Sequence, residues 1–286
     1  MPIFATPAPI EVTLDLSVGE TRITASDRAD TSVEVRPSDP FRDGDVKAAD
    51  QTRVEYEDGR LRIRTPKQRG VFSRGGSVDV TIGLPTGSSV RGESALGGVV
   101  GRGRFGEFRF KSATGDLRLD RTGPATLRTA VGNIDLARGE GPADVVTGSG
   151  ELHVEHVDGA AVLRNSNGAI RVGEVIGVLR AQAANGDISV GLAHTDVTAT
   201  TANGNVRVDE VVRGATVLET AVGRLEVGIR AGTAAWLDVR SVVGAVHNTL
   251  QAALGPKTAA DTVEIRARTG FGDIVIRRAT PMEEDL

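Results

Sequence analysis

The 286 residues include no cysteine, which excludes disulfides and thiolate metal sites outright. Aromatic residues make up only 3% of the chain, with a single Trp and a single Tyr. That is too few for the stacking platforms on which single-stranded nucleic acid rests. Long runs of one charge sign are also missing. The 34 basic and 38 acidic residues are interleaved, for a formal net charge of −4, so no nucleic-acid partner is expected. No stretch approaches the ~20 consecutive apolar residues that cross a bilayer, so no transmembrane segment is expected. The opening MPIFATPAPIEVTLDL has neither a basic n-region nor an apolar h-region, which makes the cytoplasm the expected compartment.

What the chain does have is glycine and aliphatic residues: 36 glycines, and 39% hydrophobic residues dominated by Val, Leu and Ile. This composition suits thin aliphatic layers better than a thick globule.

The glycines are periodic. Aligned on one position they read SALGGVVG at Gly97, SATGDLRL at Gly115, TAVGNIDL at Gly132, TGSGELHV at Gly150 and NSNGAIRV at Gly168. The series continues with AANGDISV at Gly186, TANGNVRV at Gly204, TAVGRLEV at Gly223, SVVGAVHN at Gly244 and TGFGDIVI at Gly272. The steps are 18, 17, 18, 18, 18, 18, 19, 21 and 28 residues. A fixed short period is the signature of a solenoid.

Each place in the repeat has a physical assignment. Two residues after the glycine stand Leu117, Ile134, Leu152, Ile170, Ile188, Val206, Leu225, Val246 and Ile274, and two further on comes a second aliphatic residue. Spacing by two puts both on one face of a strand, so these positions form the expected inward ladder. A second alternating run upstream offers Leu127, Val145, Leu163, Leu179, Val197, Leu218 and Leu237 as further inward residues. Half a repeat later a second glycine recurs, at Gly123, Gly141, Gly159, Gly177, Gly214 and Gly232. Both sets are read as sharp turns through positive φ.

A two-stranded unit is marginal in water, so coils this short must stack. Strands then pair with their equivalents one coil above and below, ~4.8 Å away, and like side chains form aliphatic ladders. Asn167, Asn185 and Asn203, one place before the glycine in three successive coils, are expected to stack as an amide ladder. Ser or Thr three places before the glycine (Ser112, Thr129, Thr147, Thr201, Thr220, Ser241 and Thr269) can satisfy backbone groups at the bend. The expected fold class is therefore all-β, a parallel β-solenoid of ~18-residue coils. Residues 1–92 lack the period and read as a β-rich cap, 93–280 as the solenoid, and 281–286 as an acidic tail. Within the cap, Asp58-Gly59 between RVEY and RLRIR signals a hairpin.

The run VDVTIGLPTGSSV, the repeated G-[DN]-[IVL]-x-[VL] units and the closing VEIRARTGFGDIVIRR resemble the DUF4097 family, bacterial adhesin-like proteins of β-strand repeats. The resemblance covers about Val78 to Arg277 and implies the fold. It brings no catalytic residues with it. Hexapeptide acyltransferases share the coil length but need an aliphatic residue every six positions, which this chain lacks. The cytoplasmic polymer-forming bactofilins share the architecture.

No candidate chemistry stands out against a structural reading. His153 and His156, at i and i+3 on a strand, point to opposite faces, so a shared metal is not expected. The outward acids Asp116, Glu151, Asp187 and Asp273 alternate with Asn133, Ala169 and Asn205, so they do not form the stacked carboxylate pairs of a glycosidase. Calcium β-rolls need G-G-x-G-x-D loops. Asp43-Gly44-Asp45 is the one candidate loop of that kind. Residues 69–76 and 97–106 are glycine-rich, but neither carries the P-loop lysine followed by Ser or Thr. No catalytic, cofactor-binding or metal residue is therefore assigned. The expectation is a non-enzymatic scaffold that binds a protein partner or its own copies. The alternative is an adhesin-like or carbohydrate- and envelope-associated binding protein, or a polysaccharide-active β-helix enzyme. If neither the insertion 248–260 nor the tail protects the last coil, association there is expected.

Overall fold

The computed structural model describes residues 2–66, 76–250 and 261–279. The fold is an all-β, parallel β-solenoid with one helix among the described residues, and the chain divides into two compact units with the division falling between residues 141 and 149. In every coil the strand before the turn glycine lies in one sheet and the strand after it in the other.

In the first unit the Gly97 coil comprises Ser89–Leu96 and Val99–Phe105, the Gly115 coil Phe108–Thr114 and Leu117–Thr122, and the Gly132 coil Ala125–Val131 and Ile134–Gly139. Neighbours pair in parallel and in register, Leu117 opposite both Val99 and Ile134. Phe105 and Phe108 meet edge to face in the core, ring centroids 5.2 Å apart.

The front segment contributes a coil that the sequence reading missed. Glu11–Val18 pairs in parallel with Ser89–Leu96, and Thr21–Ser26 with Val99–Phe105, so Gly19 belongs to the same turn column as Gly97. Outside it sits one further layer, Arg60–Arg64 on Glu11–Val18 and Val78–Pro85 on Thr21–Ser26. That layer is then closed by antiparallel strands. Arg53–Glu57 pairs with Arg60–Arg64 through the Asp58-Gly59 hairpin, where both residues have positive φ (46° and 75°). Asp30–Pro37 pairs with Val78–Pro85, and Ile3–Ala5 with Asp30–Pro37.

Asp43-Gly44-Asp45 is not a loop but the first turn of the helix Asp43–Gln51, which corrects the calcium reading. Acidic residues favour a helix N-terminus. The buried Asp45 carboxylate is already taken up by the Ser77 and Asp39 N–H groups, at 3.0 and 3.2 Å.

In the second unit the Gly168, Gly186, Gly204 and Gly223 coils follow in chain order. Ile170, Ile188, Val206 and Leu225 stand in one parallel, in-register row. The order then breaks. Thr262–Phe271 and Ile274–Arg278, the strands of the Gly272 coil, pair directly with the Gly223 coil. The Gly244 coil, Ala234–Val243 and Val246–Asn248, lies outside them. The last coil in sequence is thus the penultimate layer in space.

The upstream inward run also resolves into two rows. Leu163 faces Ala181, while Leu179 faces Ala161 and Val197, so Leu163 and Leu179 belong to adjacent rungs of the sheet. The insertion 248–260 and the tail 281–286 lie almost wholly outside the described residues, as do residues 69–75 of the first glycine-rich stretch.

Candidate functional site

The turn column is the most built feature of the molecule. At Gly115 (φ 148°) a Cβ would fall 2.1 Å from the Gly97 carbonyl oxygen, and at Gly186 (φ 147°) 2.1 Å from that of Gly168. Only glycine satisfies both the dihedral and the approach. The half-repeat glycines divide. Gly214 and Gly232 have positive φ (90° and 84°), as read from the sequence, whereas Gly123, Gly141, Gly159 and Gly177 do not, and at Gly177 a Cβ would meet Gly159 backbone at 2.5 Å. Close stacking, not handed turning, selects glycine there.

Side chains around the column fasten one coil to the next. The hydroxyls three places before the glycine donate to the glycine carbonyl of the neighbouring coil: Thr129 to Gly115 at 3.2 Å, Thr201 to Gly186 at 3.1 Å, Thr220 to Gly204 at 3.0 Å and Ser241 to Gly272 at 2.8 Å. Asn165 makes the same bond to Gly150 through its amide, at 2.8 Å. On the other side of the turn, Asp116 accepts the Asn133 N–H at 2.8 Å, Asp187 that of Asn205 at 2.7 Å, and Asp273 that of Ala245 at 2.8 Å. These outward acids are bound up in holding layers together. A groove of about 650 Å³ in the first unit runs along this column, lined by Glu20, Asp79, Asp116 and Arg118 among others. Its carboxylates are engaged in the same way, Glu20 with the Gly98 N–H and Asp79 with Ser38.

One place before the glycine, Asn185 donates to Asn167 at 3.1 Å and Asn203 to Asn185 at 2.9 Å. The same column continues past Asn203 as Val222, Phe271 and Val243, which are paired in register and all exposed. The amide ladder therefore runs into an apolar stripe.

The histidines behave differently from the pairwise reading of His153 and His156. His156 and His194 flank Glu174 from the neighbouring coils, with His156 Nδ1 3.0 Å from one carboxylate oxygen and His194 Nε2 2.8 Å from the other. Asp158 takes the remaining His156 nitrogen at 2.7 Å. Partial burial pushes the Glu174 pKa up, but the hydrogen bonds and charges of the two imidazoles outweigh it and hold the group below its ordinary value. The ring nitrogens address the carboxylates rather than a common point. Among the described residues no group of His, Asp and Glu is arranged to hold a metal ion. Residue spacing within one strand could not reveal this cluster, because its members come from three coils.

The inward ladder residues Leu117, Ile134, Leu152, Ile170, Ile188, Val206, Leu225 and Ile274 are all buried. Val246 occupies the same row, opposite Ile274, yet is 44% exposed because nothing described lies beyond its coil. The ten-residue strand Ala234–Val243 beside it forms the outer edge of its sheet, with Trp236, Val242 and Val243 exposed. A long edge with no described strand beyond it is a template for another strand.

Arg277 pins the out-of-order layer beneath this edge, donating to Glu226 at 2.9 Å and to Asp209 at 3.2 Å, one and two coils away. No helix among the described residues is long and apolar enough to cross a membrane.

A family model described as Toastrack DUF4097 matches residues 10–211. Among solved structures, the chain is similar to one described as "a putative adhesin" from Bacteroides fragilis, at 13% identity and a TM-score of 0.38, covering 96% of this chain and 95% of that one. A structure described as "Putative lipid binding protein" from Parabacteroides distasonis aligns at 13% identity and a TM-score of 0.35, covering 98% and 96%. Likenesses this distant carry no argument about activity. No curated protein matches the chain.

Proposed function

The chain belongs to the Toastrack DUF4097 family, and from that premise we propose that it is a non-enzymatic scaffold of the cytoplasm, which works by pairing its open terminal coil with a protein partner or with copies of itself. One observation carries the reading. The Ala234–Val243 edge has no strand beyond it among the described residues and exposes Trp236, Val242 and Val243, whereas the polar groups along the turn column are occupied in fastening coils. Strand addition at an open edge supplies main-chain hydrogen bonds for affinity and alternate side chains for specificity.

The test is binding that depends on this edge. The full chain, immobilised, is expected to retain a specific partner or its own copies, and Trp236→Arg is expected to abolish that retention while leaving the unfolding midpoint unchanged. A protein that is strictly monomeric, retains nothing and binds on a glycan array would overturn the scaffold in favour of a carbohydrate-binding role. Turnover of any polysaccharide in a hydrolysis screen would overturn the non-enzymatic assignment, and recovery in the envelope fraction the cytoplasmic one.

A further inference from the structure

We infer that the partner of the open edge is a second copy of this chain, bound about a two-fold axis that sets Ala234–Val243 antiparallel to itself with Val239 on the axis. The inference rests on the scaffold reading above and gives it a specific occupant.

The argument is self-complementarity. Along Ala234–Val243 the pairing with the Gly272 coil puts Leu237 opposite Ile265 and Val239 opposite Ala267. Both of those partners are buried, so Leu237 and Val239 face inward, although Val243 at the end of the strand is exposed. Trp236, Asp238, Arg240 and Val242 then share the outer face, since side chains alternate along a strand. With Val239 on the two-fold, Asp238 of each copy lies directly opposite Arg240 of the other, and Trp236 opposite Val242. Every outer pair is then either oppositely charged or apolar, the combinations that stabilise antiparallel neighbours. The two nearest registers that keep the same face outward fail this condition. One sets Asp238 against Asp238, and the other sets Arg240 against Arg240. Shifts by a single residue invert the faces of the strand. One register is thereby selected by charge.

Asp238 is only loosely engaged within the chain, 3.5 Å from Arg268, which leaves it able to address a second cation.

A closed two-fold rather than an open filament follows from the edges of the first unit. Its outermost strands are short and charged, with Arg53, Glu55 and Glu57 exposed on Arg53–Glu57 and the three-residue Ile3–Ala5 on the other sheet. These are the devices that discourage strand addition. An isologous contact uses the same patch on both copies and closes.

The chain's lack of cysteine makes the register directly readable. In the full-length protein, Val239→Cys is expected to form a disulfide-linked dimer under mild oxidation. Ala235→Cys is not, since residue 235 stands four residues from the axis and its own copy is about 27 Å away at ~3.4 Å per residue. Light scattering on the unmodified chain is expected to show a dimer. Arg240→Asp, which sets like charges opposite each other twice, is expected to weaken it about tenfold. The swap Asp238→Arg with Arg240→Asp is expected to restore it, and unfolding midpoints identify any variant that fails to fold. A monomer at all concentrations, or cross-linking by Ala235→Cys but not Val239→Cys, overturns the two-fold. A monomer that nevertheless retains a different protein through Trp236 overturns this inference while leaving the scaffold standing.

Discussion

Each unit has an outermost coil, and the two are finished in opposite ways. In the first, Val80 of the outer layer stands in the row of Thr21, Val99 and Leu117 and is 1% exposed, because Val35 of the antiparallel strand Asp30–Pro37 covers it from the far side. In the second, Val246 stands in the row of Ile274 and Leu225 and is 44% exposed. The same residue at the same place in the repeat is core in one unit and surface in the other. Ladder periodicity therefore fixes which face a side chain takes, and only the presence of a further layer makes that face an interior.

Substitutions can break this comparison at graded depths. The deepest lies where both units obey one rule, at the turn glycines. Gly115→Ala and Gly186→Ala each force a Cβ to within 2.1 Å of a backbone oxygen at a φ near 147°, and each is expected to cost about 3 kcal/mol in denaturant unfolding. Equal losses in the two units would confirm a shared turn geometry. Next, Val80→Ala removes two buried methyl groups and is expected to cost about 2 kcal/mol. Val246→Ala, on the coil left open in a single copy, is expected to stay within about 0.5 kcal/mol at concentrations too low for copies to pair. Comparable losses at Val80 and Val246 would show that the second unit is covered after all.

Arg277→Ala tests how the open coil's support is held. The mutation leaves Glu226 without its principal partner. Burial raises the Glu226 pKa, and the Arg277 hydrogen bond with nearby arginine charges outweighs this and lowers it. The expected loss is about 1–2 kcal/mol, read as a lower denaturant midpoint.

The smallest effect is electrostatic. The depressed Glu174 pKa means that its contribution to stability is present above the ordinary glutamate value of ~4.3 and is lost as the pH falls through the lower folded value. With its side chain 35% exposed, solvent screening limits that contribution to about 1 kcal/mol or less. The difference between the unmodified protein and Glu174→Gln, measured from pH 7 down to 3, is expected to shrink below about pH 4.

The coil register was legible because its cause is local: a glycine needed at a fixed place in each turn, and aliphatic residues two and four places on. The Gly19 coil was equally legible in principle, since LSVGETRI fits the frame. It was obscured because the helix, a hairpin and an outer layer intervene before Gly97. The reversed order of the Gly244 and Gly272 coils had a weaker signal in the lengthened steps of 21 and 28 residues. Like coils offer like edges, so sequence periodicity does not say which of two comes to rest on the Gly223 coil. The two coils do differ at the ladder places: Ile274 and Ile276 are buried, whereas Asn248 stands in the row of Ile276 and is exposed. The His156, Glu174 and His194 cluster required coils to be laid side by side before its members could be seen to meet.

The inverted order also changes what the final strands are. Residues Thr262–Arg278 slot between two layers that the ribosome has already produced. Until they emerge, the Gly244 strands face a Gly223 edge identical in kind to the one they will ultimately rest on. A truncation upstream of Thr262 would therefore remove the penultimate layer, the floor on which the Gly244 coil rests.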